Sequence, residues 1–233
     1  MNWPAEPAIS AGLLSGMVDG RVGTMKLLLL GATGAVGTAV LDKVLADPRF
    51  DAVTAPTRRT LPAHPKLTNP VLDFAALDGG DPLWRADAVI SALGTTQKIA
   101  GSRAAFRAVD HDLVLATAGF ARKAGAGALA VVSSVGASSR SPSFYLKTKG
   151  EMEEGLQSLG YPSLTIVRPS MIDVRRPPPR AGEAWGLLAF DLLRPVLPRR
   201  LRSVTPARIA DALIGAVVAA PDGARVIESE AIP

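Results

Sequence analysis

Cysteine is absent from the 233 residues, and histidine occurs only at His64 and His111. The first absence excludes disulfides, thiolate metal sites and cysteine nucleophiles. It suits a reducing compartment, so a cytoplasmic protein is expected. Two widely separated histidines are too few for an ordinary zinc site, and no metal is expected. No apolar run reaches the ~18 residues that a membrane-crossing helix needs. The stretch MKLLLLGATGAVGTAV has the lysine and leucines of a signal peptide, but glycines interrupt it and it begins at Met25, so that reading is rejected. Aromatic residues make up only 5% of the chain. Basic charge is local: eight arginines lie between Arg175 and Arg208 against Glu183 and Asp191, a local +6, which leaves about −1 for the rest of a chain of net +5. One basic cluster, few aromatics and no recognised binding motif argue against nucleic acid as a partner.

What is present is a regular alternation. KLLLL reads as a buried parallel strand, followed by GATGAVG and a helix with Val36, Val40, Leu41, Val44 and Leu45 in phase. DAVTAPTRR, LTNPVLDF, DAVISALGTT, ALAVVSSVGA and SLTIVRPSMI read as further strands, with a long helix over 103–124 and another over 144–159. Thr205-Pro206 starts a helix carrying Ile209, Leu213, Ile214 and Val217, and ARVIES reads as a short last strand. This order predicts an α/β fold, a three-layer doubly wound parallel sheet of the Rossmann type, with a small C-terminal helical lid region. Residues 1–24 read as an N-terminal extension without regular structure, with Met25 a candidate true start. Residues 25–233 read as one domain of this Rossmann type, with the lid near 173–204.

Gly31, Gly34 and Gly37 fall between the first strand and the first helix, where a dinucleotide-binding loop needs them. The first permits a tight turn, the second admits a pyrophosphate against backbone, and the third lets helix pack on strand. The helix start then offers free N–H groups and a positive dipole end. Thr33, Ala35 and Val36 complete this loop as candidate cofactor contacts. An NAD site carries an acidic residue about 20 positions on, for the ribose 2′-hydroxyl. Here that place is near Thr57 and is followed by Arg58 and Arg59. Two guanidiniums suit a 2′-phosphate, so NADP(H) is the expected cofactor, with NAD(H) the lesser alternative. Two solvated arginines in a turn would look the same in sequence.

Tyr145 and Lys149 stand four apart and share one face of a helix. By itself the pair is a modest signal. Together with GATGAVG, VVSSVGAS and VRPSMI it resembles the short-chain dehydrogenase/reductase superfamily, in its atypical branch with a GxxGxxG loop. LGTTQKIAGS, VDHDLV and SFYLKTKGEMEE look closest to the Tat-interacting-protein-like group of that branch. The resemblance covers residues 25 to about 218. It implies that Tyr145 is the general acid, that Lys149 holds the nicotinamide ribose and lowers the tyrosine's pKa, and that Ser134, with Ser133 the lesser candidate, hydrogen-bonds the substrate oxygen. It further implies that Asp73 and Phe74 flank the adenine, that Ala92 to Thr96, including Leu93, Gly94 and Thr95, line the cofactor, and that Arg168, Pro169, Ser170 and Met171 sit by the nicotinamide. Asp110 stands where the family pattern often has asparagine, a departure that bears on the proton relay.

Residues 183–202, EAWGLLAFDLLRPVLPRRLR, place Trp185, Leu188, Leu192 and Val196 at helical spacing before a run of arginines. Three roles fit: an apolar substrate lid, a peripheral contact with anionic membrane, or a core-packing helix with a solvated basic end. A small-molecule substrate and a homodimer are the expected partners. The functional expectation is an NADPH-dependent oxidoreductase acting on a carbonyl-like group of a hydrophobic or amphipathic substrate. The alternative is a non-enzymatic NADP(H)-binding regulatory module acting through a protein partner. A sugar-nucleotide epimerase or dehydratase is less favoured, because only about 60 residues follow VRPSMI.

Overall fold

The computed structural model describes residues 24–173 and 202–233. The expected N-terminal extension and most of the expected lid lie outside the described residues. Seven strands form one sheet: β1 Met25–Leu30, β2 Phe50–Thr54, β3 Leu67–Thr68, β4 Ala88–Ser91, β5 Ala128–Val132, β6 Ser163–Arg168 and β7 Gly223–Glu228. Their order is β3-β2-β1-β4-β5-β6-β7. Every pairing is parallel. The expected doubly wound sheet is what forms, and the strand order reverses direction between β1 and β4, where such sheets take their ligands.

The run of leucines in β1 is buried because helices cover both faces of the sheet. Leu27 and Leu29 pack in a core with α1 (Ala35–Ala46) and α6 (Pro206–Ala219). Leu28 and Leu30 pack on the other side with Val114, Met152 and Leu156, from α4 (Leu113–Lys123) and α5 (Phe144–Gln157). Leu28, Leu29 and Leu30 are fully buried, each burial stabilising by about 1.5–3 kcal/mol. The start of α6 is as the sequence indicates: Pro206 opens the first turn and the Thr205 side chain accepts from the Arg208 N–H. Ile172 and Val204 form a parallel bridge, so the two described ends flanking 174–201 lie side by side.

Two expected elements differ. The third strand is two residues long, because Pro70 has no N–H to give the ladder. Asn69 substitutes with its side chain, donating to the Ala55 carbonyl at 2.6 Å and to Thr57 Oγ1 at 2.8 Å while accepting from the Leu61 N–H at 2.7 Å. The helix expected over 103–124 is continuous but not uniform. The short α3 (Arg103–Arg107) runs into a π-helical turn, Ala108–Asp112, before α4 begins. Such turns are rare and gather at functional sites. This one carries Asp110 at its centre, fully buried. The remaining helix, α2 (Gln97–Ala100), is a single turn after β4.

Candidate functional site

The glycine loop leaves the carboxyl end of β1. Gly31 has φ +83°, and a Cβ there would lie 2.6 Å from the Ala92 carbonyl carbon. A Cβ at Gly37 would lie 2.0 Å from the Gly31 oxygen. The first and third glycines are therefore demanded by packing between β1, β4 and α1. A Cβ at Gly34 would meet only the Gly31 oxygen, at 3.4 Å. Its outer side is open. The N-terminus of α1 has no acidic residue in its first turn and no side-chain cap. Thr33, Gly34 and Ala35 are exposed there, while the Val36 side chain is in the core and leaves only its backbone to face a ligand. An anion-binding helix start needs such uncapped N–H groups beside an open glycine, so the loop fits a pyrophosphate.

Arg58 and Arg59 follow β2 in a turn that Thr57 shapes by donating its hydroxyl to the Arg59 carbonyl at 2.6 Å. Both arginines are exposed, and neither has an ion-pair partner among the described residues. Asp73 and Phe74 lie past the bridge between Thr57 and Val71. The Asp73 carboxylate is exposed and accepts from the Ala75 N–H at 2.9 Å.

On the other side of β1 the site is made of side chains. Tyr145 opens the first turn of α5, half-buried, with its ring centroid 5.5 Å from that of Phe106. Lys149 follows one turn later on the same face. Its side chain is only 4% exposed, and its Nζ lies 2.7 Å from Asp110 Oδ1. The two form a short buried ion pair, and Oδ1 accepts no other hydrogen bond among the described residues. Asp110 Oδ2 accepts from the Thr95 N–H at 2.8 Å. Gly94 passes over the pair, where a Cβ would be 3.4 Å from Asp110 Oδ1 and 3.9 Å from Lys149 Nζ. Leu93 packs against the α4–α5 core.

The two serines that end β5 are unlike. Ser133 is buried and donates its hydroxyl to Glu153 Oε1. The Ser134 hydroxyl has only a marginal contact, 3.5 Å to the Val135 carbonyl, and is free to engage a ligand. Arg168, expected beside the nicotinamide, has its guanidinium taken by two carboxylates. Nε and Nη2 donate to Glu153 at 3.0 and 2.5 Å, and Nη1 donates to Glu228 at 3.0 Å. Its hydrogen bonds to Glu153 first, and the neighbouring negative charges after, raise its pKa above the usual arginine range against the cost of burial. Only the backbone of Arg168 remains for the role implied by resemblance. The Pro169 carbonyl accepts from the Val135 N–H at 3.0 Å. Ser170 is likewise engaged, its N–H with Ser229 Oγ at 3.2 Å and its hydroxyl with the Arg202 carbonyl. Glu153 is the residue that sequence reading passed over. It falls on the inward stripe of α5 with Met152 and Leu156; an acid among apolar positions at helical spacing was the available signal.

The family profile described as NAD(P)H-binding matches residues 31–184. Protein FMP52, mitochondrial, of Meyerozyma guilliermondii is 34% identical over 151 residues, covering 64% of this chain and 65% of that protein, just under two thirds of its length. Protein HTATIP2 of Rattus norvegicus is 33% identical over 170 residues, covering 71% and 70%. Among solved structures, MoeE5 in complex with UDP-glucose and NAD superposes with a TM-score of 0.65 at 16% identity, over 87% of this chain and 75% of that one. The Bordetella bronchiseptica enzyme WbmH in complex with NAD+ gives a TM-score of 0.66 at 16% identity, over 88% and 76%. At such identities the structural likeness concerns the fold alone. The relatives bear out the resemblance drawn from the motifs. They also overturn the expected cytoplasmic location, since three fungal relatives are named mitochondrial. A chain without cysteine is compatible with any redox surrounding, so that feature does not distinguish one compartment from another.

Proposed function

The chain belongs to the NAD(P)H-binding family, and from that premise we propose that it is an NADPH-dependent oxidoreductase of the atypical short-chain type, acting on a carbonyl-like group. The observation that carries this reading is the lysine ammonium held in a nearly closed site, one helical turn from Tyr145 and beneath the Gly94 backbone. A bound nicotinamide would supply hydride. Tyr145 donates its phenolic proton to the oxygen of the reacting carbonyl, and Ser134 orients that oxygen with its free hydroxyl. Lys149 donates to the ribose hydroxyls. Ser133 takes no part, because its hydroxyl is committed to Glu153. Arg58 and Arg59 hold the 2′-phosphate. Ile99, in the single-turn α2 after β4, and Met171, in the loop after β6, are 79% and 59% exposed, on either side of the β5 loop that carries Ser134. Their exposure supports an apolar or amphipathic substrate.

The Asp110 carboxylate beside Lys149 favours a second reading, a cofactor-binding regulatory module, because it offsets the ammonium charge that a proton-donating tyrosine would use. Titration with NADPH, NADP⁺ and NADH, followed by fluorescence, tests the cofactor assignment. Wild type should bind NADPH more tightly than NADH, and Arg58→Ala should weaken NADPH by roughly tenfold or more, the scale of one charge-assisted hydrogen bond. Equal affinity for NADH and NADPH would sink the phosphate reading. Absence of binding to any dinucleotide would sink the proposal entirely.

A further inference from the structure

The Asp110–Lys149 pair is out of place as a stabilising device. The Asp110 side chain is 1% exposed and that of Lys149 4%. Removing two charges from water costs about what their attraction returns, and apolar side chains of similar size would join α5 to the π-helical turn as well or better. The turn nonetheless brings the carboxylate to the one point where it meets two different elements. Oδ2 fixes the Thr95 N–H at 2.8 Å, on the loop after β4. Oδ1 faces the ammonium on α5 at 2.7 Å. The Gly94 backbone, bare of a side chain, closes over both.

We infer that Asp110 is a positioning residue for the nicotinamide half of the cofactor. The inference rests on the proposed function, since it takes Lys149 and the Gly94–Thr95 backbone as the groups that meet that half. One oxygen sets the path of the loop by holding its amide. The other confines the lysine in an ion pair at 2.7 Å, and because an ammonium carries three N–H bonds, donors remain for ribose hydroxyls. A lysine side chain has four rotatable bonds, and fixing it before the ligand arrives removes an ordering cost from binding. Nothing in this arrangement reaches the adenine half. The glycine loop follows β1, and the Arg58 turn follows β2, on the far side of β1 from β4. Asp110 therefore acts on one half of the dinucleotide alone.

Comparison of NADPH with 2′,5′-ADP, its adenine half, reads this directly. In Asp110→Ala, NADPH affinity should fall roughly 10- to 100-fold, the scale of a lost charge-assisted contact. Affinity for 2′,5′-ADP should stay within about twofold. Asp110→Asn keeps an acceptor for the Thr95 amide and loses the charge, so its NADPH affinity should fall between those of wild type and Asp110→Ala. Equal weakening of both ligands would mean a structural role and overturn the inference, as would unchanged NADPH affinity in both variants. Where Asp110→Ala does not fold, Asp110→Asn decides: an NADPH to 2′,5′-ADP affinity ratio equal to that of wild type overturns the inference. A wild type that binds no dinucleotide overturns the proposed function and this inference together, whereas a wild type that binds NADPH with an indifferent Asp110 overturns the inference alone. A wild type that prefers NADH is put to the same test with NADH against AMP.

Discussion

The two sides of β1 recognise by different means. Toward β2 and β3 the candidate site is mostly backbone, an open glycine and an uncapped helix start, joined by two arginines without an ion-pair partner among the described residues. Toward β4, β5 and β6 it is a set of buried and partly buried charges, each held by a residue distant in sequence: Lys149 by Asp110, and Arg168 by Glu153 and the partly exposed Glu228. The first kind of site is shaped mainly by backbone sterics, within the loop at Gly37 and against Ala92 of the neighbouring strand end at Gly31. The second depends on the mutual placement of several helices and strand ends, and is sensitive to any one of them.

The contrast can be broken most sharply at Tyr145. Tyr145→Phe should cut turnover by roughly 10²–10⁴ while leaving cofactor affinity nearly unchanged, if the hydroxyl is the acid; steady-state kinetics beside a binding titration would read it, and an unchanged rate would remove Tyr145 from the mechanism. Next in size is Glu153→Gln. It leaves the Ser133 hydroxyl and Arg168 without their charged acceptor, and should lower unfolding free energy by roughly 3 kcal/mol in a denaturant titration, the low end for a broken buried pair because Arg168 keeps Glu228. A loss below about 0.5 kcal/mol, the level of an ordinary surface change, would show the charge network to be incidental. Smallest is Gly37→Ala, which sets a methyl against the Gly31 carbonyl and should cost about 1–3 kcal/mol, seen as a lowered melting temperature with weakened NADPH binding. Full stability in that variant would mean that α1 can retreat from the loop, contrary to the contact distances.

The same division governs what could be read from the chain. The glycine loop, the Arg58-Arg59 turn and the alternation of strand and helix are local, and the fold followed from them. So did the start of α6, where Thr205 and Pro206 are adjacent. The third strand was read too long because Val71, Leu72 and Phe74 are good strand residues, and nothing local says that the Asn69 side chain will replace the ladder. The π-helical turn left no mark in composition, since Ala108–Asp112 suits an ordinary helix. Ser133 and Ser134 could not be separated until Glu153 was seen beneath the first of them. The pairing of Arg168 has no local signal, because its two carboxylates lie 15 positions before it and 60 after it.

The central place of β1 also has a cost in time. Leu27 pairs with Val53 on one edge and with Ala88 on the other. A ribosome adding about 5–20 residues per second delivers β4 several seconds after β1. Throughout that interval a strand with four consecutive leucines has one unsatisfied edge, and such an edge is a template for pairing with another chain. Yield from rapid expression at high temperature should therefore depend on chaperone supply more than the stability of the finished sheet would suggest.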